Sequence, residues 1–346
     1  MKLWKIIVMT LAGVVGLDAT AAAEMRWSRL PRDVCDVQSA LRASATPSSP
    51  TPEDSLLLMF WNCENFFDYT DSGTSVSDWE FSSGGSRHWT AKRFYAKCSL
   101  FAKSLLYIAE RQGRLPDAIG LAEIENAGVL RRLLSSTLLR KLDYRFIHYD
   151  SPDHRGIDCA LLYRTSRLNP LFSKPCHVDT LATRDILLAG FVTPAGDSLA
   201  ILVNHHPSKY GGDISEGNRR MAMKRLRALS DSLENAGWSR RVAVGDFNEE
   251  PPNPVFELLP PSLERVLPPP GAFPGSIRFN GEWQLIDLAF VSPALKRSSS
   301  FCAFPLPFLL EKDSAHSGLR PLRTFTGPRW KGGFSDHLPV LVKIKR

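Results

Sequence analysis

Apolar runs of strand length alternate with stretches of helical periodicity along most of this chain. Residues 56–61, Leu-Leu-Leu-Met-Phe-Trp, form a continuous apolar run suited to a strand buried on both faces. Residues 92–111 place Phe94, Cys98, Phe101, Leu105 and Ile108 at three- and four-residue spacings, which predicts a helix with one apolar face. A short strand is expected at 118–122, a helix at 129–139, and strands at 144–149, 157–163, 186–192 and 199–204. A long helix follows at about 215–235, with Ala222, Leu226, Leu229 and Leu233 on one side. Strands recur at 242–244, 285–291 and 338–344, and the prolines of 260–280 mark a surface loop. Because several neighbouring strands have no helix between them, the sheets must be mixed. The class is therefore α/β (or α+β) with two packed sheets.

The first residues carry a different pattern. Lys2 and Lys5 precede an apolar run at 6–17, and Ala21, Ala22 and Ala23 supply small residues before Glu24. That order reads as a secretory signal peptide cleaved near Ala23, and the run is too short to span a bilayer comfortably. Residues 43–54 form a Pro/Ser/Thr-rich linker. The expected organisation is a signal peptide at 1–23, an N-terminal segment and linker at 24–55, and one domain at 56–346. Export, to the periplasm or beyond the cell, is the expected destination.

Composition narrows the classes. The 346 residues are 43% hydrophobic and 23% charged, which excludes a disordered, collagen-like or disulfide-scaffold chain. The net charge of +7 is compatible with a polyanionic partner without requiring one. Six cysteines (Cys35, Cys63, Cys98, Cys159, Cys176 and Cys302) are scattered with no C-x-x-C pair. That spacing argues against a zinc site, and most are expected to be free thiols although export would permit disulfides.

The chemistry gathers at strand ends. Asn62 directly follows the first apolar strand, with Glu64 and Asn65 just beyond. Glu123 and Glu125 follow the second, His205 and His206 close 201–204, and Asp246 and Asn248 close 242–245. Asp287 sits in a late strand, and Ser335-Asp336-His337 precedes the last one. Polar side chains at one end of adjacent strands converge on a crevice. Carboxylates and amides there suit a hard cation such as Mg²⁺, an aspartate can deprotonate a water, and a charged histidine can stabilise a developing oxyanion. This is the equipment for metal-assisted hydrolysis of a phosphate ester.

The motif order resembles the endonuclease/exonuclease/phosphatase superfamily, the deoxyribonuclease I-like fold. The carriers are Trp61-Asn62-x-Glu64-Asn65-Phe66-Phe67-Asp68, Leu121-Ala122-Glu123-Ile124-Glu125-Asn126, Asn204-His205-x-Pro207-Ser208, Gly245-Asp246-Phe247-Asn248, Ile286-Asp287-Leu288-Ala289-Phe290-Val291-Ser292 and Phe334-Ser335-Asp336-His337-Leu338-Pro339-Val340. The segments 149–158 and 183–187 look like a secreted bacterial branch of it. The resemblance implies a four-layer sandwich of two mostly antiparallel sheets flanked by helices, and Mg²⁺- or Mn²⁺-dependent phosphoester hydrolysis.

Carried over by position, Glu123 looks like the metal carboxylate, Asn62 its neighbour, and Asp336 the second metal-side carboxylate. Asp246 is similar to the residue that activates the attacking water, and Asn248 to a catalytic phosphate ligand. His337 resembles the histidine beside the scissile phosphate, with Asp287 holding its ring. Of the adjacent pair, His205 takes the catalytic position, and His206 falls where relatives carry an aromatic. Arg155 and Arg184 are candidates for phosphate oxygens, and Trp283 for substrate contact, as part of an aromatic and basic rim with Phe279 and Trp330. Basic pairs such as Arg219-Arg220 and Arg240-Arg241 could track a nucleic-acid backbone or simply be solvated. The expected activity is that of an endo- or exonuclease on DNA or RNA, acting as a monomer without a membrane span. The alternatives are a phosphomonoesterase, a sphingomyelinase or inositol-phosphate phosphatase-like hydrolase, or an inactive binding module on the same scaffold.

Overall fold

Strands that are apolar on both faces must be covered on both, and the computed structural model shows two six-stranded sheets stacked between helices. It describes residues 55–209 and 212–345, all within the unit Ala40–Arg346. Of the leader, N-terminal segment and linker expected at 1–55, residues 1–54 lie outside the described residues, and Ser55 opens the first strand.

The chain runs β1 (Ser55–Phe66), α1 (Val76–Glu80), α2 (Ala91–Gln112), β2 (Ala118–Ile124), α3 (Ala127–Ser136), β3 (Tyr144–His148), β4 (Asp158–Arg164), β5 (Asn169–Cys176) and β6 (Ile186–Val192). It continues through β7 (Ser198–His205), α4 (Gly212–Asn235), β8 (Arg241–Asp246), β9 (Glu264–Arg265), β10 (Ile277–Phe279), β11 (Glu282–Gln284) and β12 (Asp287–Val291). It ends with α5 (Pro293–Lys296), β13 (Ser299–Ala303), β14 (Leu310–Lys312), β15 (Leu319–Pro321), β16 (Phe325–Thr326), β17 (Arg329–Trp330) and β18 (Val340–Lys345). The first sheet has the order β13-β18-β1-β2-β4-β3 and the second β5-β6-β7-β8-β12-β9. Each contains a single parallel pair, β1 with β2 and β7 with β8, and each pair is joined through a long helix, α2 or α4. Parallel neighbours require such a crossover, whereas hairpins serve the antiparallel remainder.

Side-chain parity sorts the strands into layers. Leu57, Met59, Trp61 and Cys63 pack against Phe94, Phe101 and Leu105 of α2 and Leu130 of α3. In the other sheet Ala200, Leu202, Ala243, Leu288 and Phe290 pack with Met223, Leu226 and Leu229 of α4. The opposite parity faces inward between the sheets. Gly120 marks the tightest approach, since a β-carbon there would stand 3.1 Å from the Phe60 ring and 3.2 Å from Val203 of the facing sheet. Inward parity therefore includes Asn62 on β1, His205 on β7, Asp246 on β8 and Asp287 on β12. The sequence pattern already holds this convergence.

Differences from expectation are local. Strand β5 went unpredicted because it is an edge strand with Pro170 and Pro175 and mostly exposed side chains, so it carries no apolar signal. The apolar run at 301–310 enters β13 and a connector whose Phe304, Leu306 and Leu309 are buried. Among the described residues no helix is long and apolar enough to cross a membrane. Cys63, Cys98, Cys159, Cys176 and Cys302 are free thiols. Cys35 lies outside the described residues.

Candidate active site

A cleft of about 250 Å³ opens where the inward-facing strand ends meet, and it is lined by Asn62, Glu64, Asn65, Glu123, Arg155, Arg184, His205, Ser208, Asp246, Asn248, Arg323, Asp336 and His337, with Ile277 and Ile286. The motifs separated by up to 275 residues in sequence thus meet at one place.

Asp246 stands at its centre. It pairs directly with Asp287 across the β8–β12 register, which sets two carboxylates on the same face of adjacent strands. One oxygen accepts from the Asn62 side-chain amide at 3.0 Å, and the other accepts from the Asn248 backbone N–H at 2.9 Å. His205 Nε2 and His337 Nε2 each lie 3.8 Å from Asp246 Oδ2. Burial, with the Asp287 charge adding to it, raises the Asp246 carboxyl to about 7 despite the opposing pull of His337. Gly245 is required just before it, because a β-carbon there would fall 2.1 Å from the Asn204 carbonyl oxygen.

The two cleft histidines are held in different states. His337 Nδ1 hydrogen-bonds Asp287 Oδ2 at 2.7 Å. Burial alone would discharge that ring, but the Asp287 carboxylate outweighs it and holds His337 well above the ordinary histidine range. His205 has no such partner. Burial, reinforced by the charges of Arg184, Arg155 and His337, keeps it neutral, far below that range. His206 does not line the cleft. Its ring packs 4.8 Å from Phe247, neither ring nitrogen has a hydrogen-bond partner, and burial lowers it to about 3.

On the other sheet the backbone itself bends into the site. The β1–β2 register shifts between Asn62 and Phe66, and Glu64 (φ 46°), Asn65 (φ 51°) and Glu123 (φ 62°) are left-handed. Asn248 (φ 52°) is too, so four of the seven described non-glycine residues with positive φ line this cleft. Such concentration of costly backbone is characteristic of functional sites. The bulge lets Asn65 N donate to Glu123 Oε2 at 2.7 Å and turns Glu125 away, where it accepts from Asp68 N instead. Glu123 Oε1 is 3.9 Å from His205 Nε2.

Several of these contacts were not visible in the sequence. Glu64 accepts from Arg323 Nε at 2.8 Å and Thr324 N at 2.9 Å, and burial raises its carboxyl to about 7. Arg323 also reaches Asp336 Oδ2 at 2.9 Å. Beneath them, buried Lys97 donates to the Glu64 carbonyl and to Thr324 Oγ1. One signal for Lys97 did exist: it stands three residues after Phe94 and four before Phe101, on the apolar stripe of α2.

The remaining expected contacts divide. Arg155 lines the cleft, with Nη2 donating to Asn65 Oδ1 at 2.6 Å and lying 3.5 Å from Glu123. Arg184 lines it as well, but its guanidinium is bound to Asp153 at 3.0 Å and to the His206 carbonyl at 2.8 Å. Asn248 Nδ2 is likewise spent on the His206 carbonyl, leaving its side-chain oxygen for other partners. Trp283 is not part of the cleft lining and stacks edge-on against Phe273. Of the basic pairs, Arg219 is buried against Glu249, and Arg241 is buried against the Trp238 carbonyl.

The donor set fits a hard divalent cation. Glu123, Asp336 and the oxygen of Asn62 face one cleft with Asp246, and Mg²⁺ or Mn²⁺ takes one or two such carboxylates together with water. Asp246, Asp287 and His337 also place one ligand atom each within 4.8 Å of one another.

A model of the endonuclease/exonuclease/phosphatase family matches residues 57–346. The chain belongs to that family. Solved members share its fold at low identity. The human Nocturnin catalytic domain is 19% identical, with a TM-score of 0.53 over 85% of this chain and 95% of the other. A humanized D. rerio TDP2 is 16% identical, with a TM-score of 0.53 over 85% and 100%. A mannosyl-6-phosphatase from Bacteroides thetaiotaomicron is 16% identical, with a TM-score of 0.55 over 84% and 100%. No curated protein matches the chain significantly. Family members are phosphoester hydrolases on a two-sheet sandwich, which is the architecture described above.

Proposed function

We propose that this family member is an exported, divalent-metal-dependent phosphoesterase whose substrate is a nucleic-acid phosphodiester. The observation that carries the chemistry is the state of Asp246. It is a carboxylate oriented by Asn62 and the Asn248 N–H, raised to about 7, and set 3.8 Å from one neutral and one charged imidazole. A base tuned near the working pH takes a proton from the water that attacks phosphorus. His337, kept charged by Asp287, donates to a phosphoryl oxygen as negative charge develops. Arg155 holds a second oxygen. His205, neutral and shielded, lies where it can hydrogen-bond the ester without adding charge. Glu123, with Asn62 and Asp336 beside it, would hold a divalent cation, which when bound would supply Lewis-acid polarisation of the phosphate.

Two exposed hairpins support a polymeric substrate. Strands β10–β11 continue from Ile277 of the cleft and present Phe279, 60% exposed. Strands β16–β17 rise between Arg323 and Asp336 of the cleft and present Trp330, 37% exposed. Aromatic faces beside a phosphate-binding cleft suit stacked bases. A phosphomonoester is the second reading, favoured by three arginines (Arg155, Arg184 and Arg323) around one small cleft. Export rests on the leader-like pattern of residues 1–23 alone. A panel of plasmid DNA, single-stranded RNA, sphingomyelin, inositol phosphates and bis(p-nitrophenyl) phosphate with added Mg²⁺ tests the assignment. Cleavage of a lipid, inositol or monoester substrate with plasmid and RNA intact would overturn the nuclease reading.

A further inference from the structure

A second group of ligating side chains gathers at the outer end of the first sheet, at the base of the loop that carries Arg155. Strands β3 and β4 pair antiparallel up to His148 opposite Ala160, so the residues just beyond them face one another. His148 closes β3, Asp158 opens β4, and Asp150 stands between. One ligand atom from each lies within 4.8 Å of the others. His148 Nε2 is 3.4 Å from Asp158 Oδ2, and His148 Nδ1 is 3.9 Å from Asp150 Oδ1.

Two observations point to a ligand rather than to a simple surface pair. The His148 side chain is only 2% exposed, yet its Nε2 has no hydrogen-bond partner while aiming toward the Asp158 carboxylate. A buried polar nitrogen left unpaired is costly, and an occupant between it and the carboxylates would remove that cost. Asp158 meanwhile commits Oδ1 to the Ser151 N–H at 2.9 Å, and its Oδ2 has only the long 3.4 Å approach of His148 Nε2. The Asp150 side chain is 87% exposed, so the site can be reached from solvent.

We propose that His148, Asp150 and Asp158 form a second divalent-cation site, separate from the catalytic cleft. Two carboxylates balance a divalent charge. One imidazole with two carboxylates is a ligand set for Zn²⁺ rather than for Mg²⁺, which prefers oxygen and retains its water. The ion would tie together the two ends of the 149–157 loop. That loop is continuous with the cleft: Arg155 N donates to Asp153 Oδ1, Asp153 Oδ2 accepts from Arg184, and Arg155 reaches Asn65. The site is therefore structural, holding the segment that delivers Arg155.

The test is a metal count on the full chain, independent of whether any phosphoester is cleaved. Protein stripped by a chelator, re-equilibrated with Zn²⁺ and desalted is assayed by inductively coupled plasma mass spectrometry. Zn²⁺ content should fall by one ion per chain when Asp150→Asn/Asp158→Asn is introduced into the parent protein, and by the same one ion when it is introduced into Glu123→Gln. Exposed Asp150→Asn alone, which cannot unfold the domain, should weaken Zn²⁺ binding and shrink the upward shift in melting temperature that Zn²⁺ produces. Unchanged Zn²⁺ content in both double and single variants would overturn the site. So would an equal thermal shift from Mg²⁺ that the same variants remove.

Discussion

The two sheets build the cleft by different means. The second sheet presents Asp246, Asp287 and His205 from regular strands, where alternation alone decides which face each side chain takes. The first sheet presents Glu123 and Asn65 through a broken register and left-handed backbone, so that Glu123 enters the cleft and Glu125, two residues on, does not. A regular strand can lose one side chain and keep its geometry. A bulge holds its side chains only while the strained backbone stays paid for by the contacts around it. Substitutions in the second sheet should therefore damage chemistry with the fold intact, whereas those in the first should damage metal binding, local order or both.

The largest effect belongs to Asp246. Asp246→Ala should lower hydrolysis of any accepted phosphoester by about 10³-fold or more, since it removes the base and its preorganised surroundings together. Circular dichroism should be unchanged, and retained turnover would break the mechanism. Asp287→Asn should come next, at about 10²-fold, because a neutral partner no longer keeps His337 charged. A matching loss in His337→Ala, with no further loss in the double variant, would show that the two act as one unit.

In the first sheet, Glu123→Gln should raise the Mg²⁺ or Mn²⁺ concentration needed for half-maximal rate by roughly 10-fold or more, as expected when one of few carboxylate ligands is removed. Asn65→Val puts a β-branched residue at φ 51° and should destabilise the domain by about 1–3 kcal/mol in urea unfolding. Asn65→Gly should keep the stability while losing the contact to Arg155. If Asn65→Val unfolded like the parent, the strained-bulge half of the comparison would fall.

The smallest effect is at His206, which belongs to neither arrangement. Its folded pKa of about 3 lies below the unfolded value, so the unfolded chain binds the proton first. Its contribution is fully present above about pH 6.5 and is lost as the pH falls toward 3, with a slope of about 1.4 kcal/mol per pH unit per proton. His206→Phe should flatten that part of the acid limb and add about 1 kcal/mol at neutral pH, because two unpaired buried nitrogens are replaced by a ring that packs on Phe247. Urea titrations at pH 7.5 and 4.5 measure both. An unaltered difference between the two would show that His206 finds a partner in the folded protein.

Much of this was legible in the chain. Apolar runs and helical spacings located nine of the twelve strands of the two large sheets and all three longer helices; they missed β9, β13 and β5, whose prolines and exposure erase the pattern, and the short hairpins β10–β11 and β14–β17. Asn62, His205, Asp246 and Asp287 were readable because each ends or occupies an apolar strand with inward parity. The Glu64–Arg323–Asp336 chain and the Lys97 support were not, since they join residues from distant segments through contacts that no local pattern encodes. Trp283, singled out as an aromatic beside basic residues, packs on Phe273 outside the cleft lining, a placement that no local pattern encodes.

The sequence by itself determined the two-sheet class, the order of the motifs and the set of strand-end side chains, because periodicity and spacing are properties of a single chain. Only the tertiary structure decided which of two nearby glutamates enters the cleft. It also decided which imidazole carries charge, and which arginines are already committed to protein partners. Those outcomes depend on backbone handedness at a bulge and on charges brought close from the other sheet, and neither exists until the sheets pack.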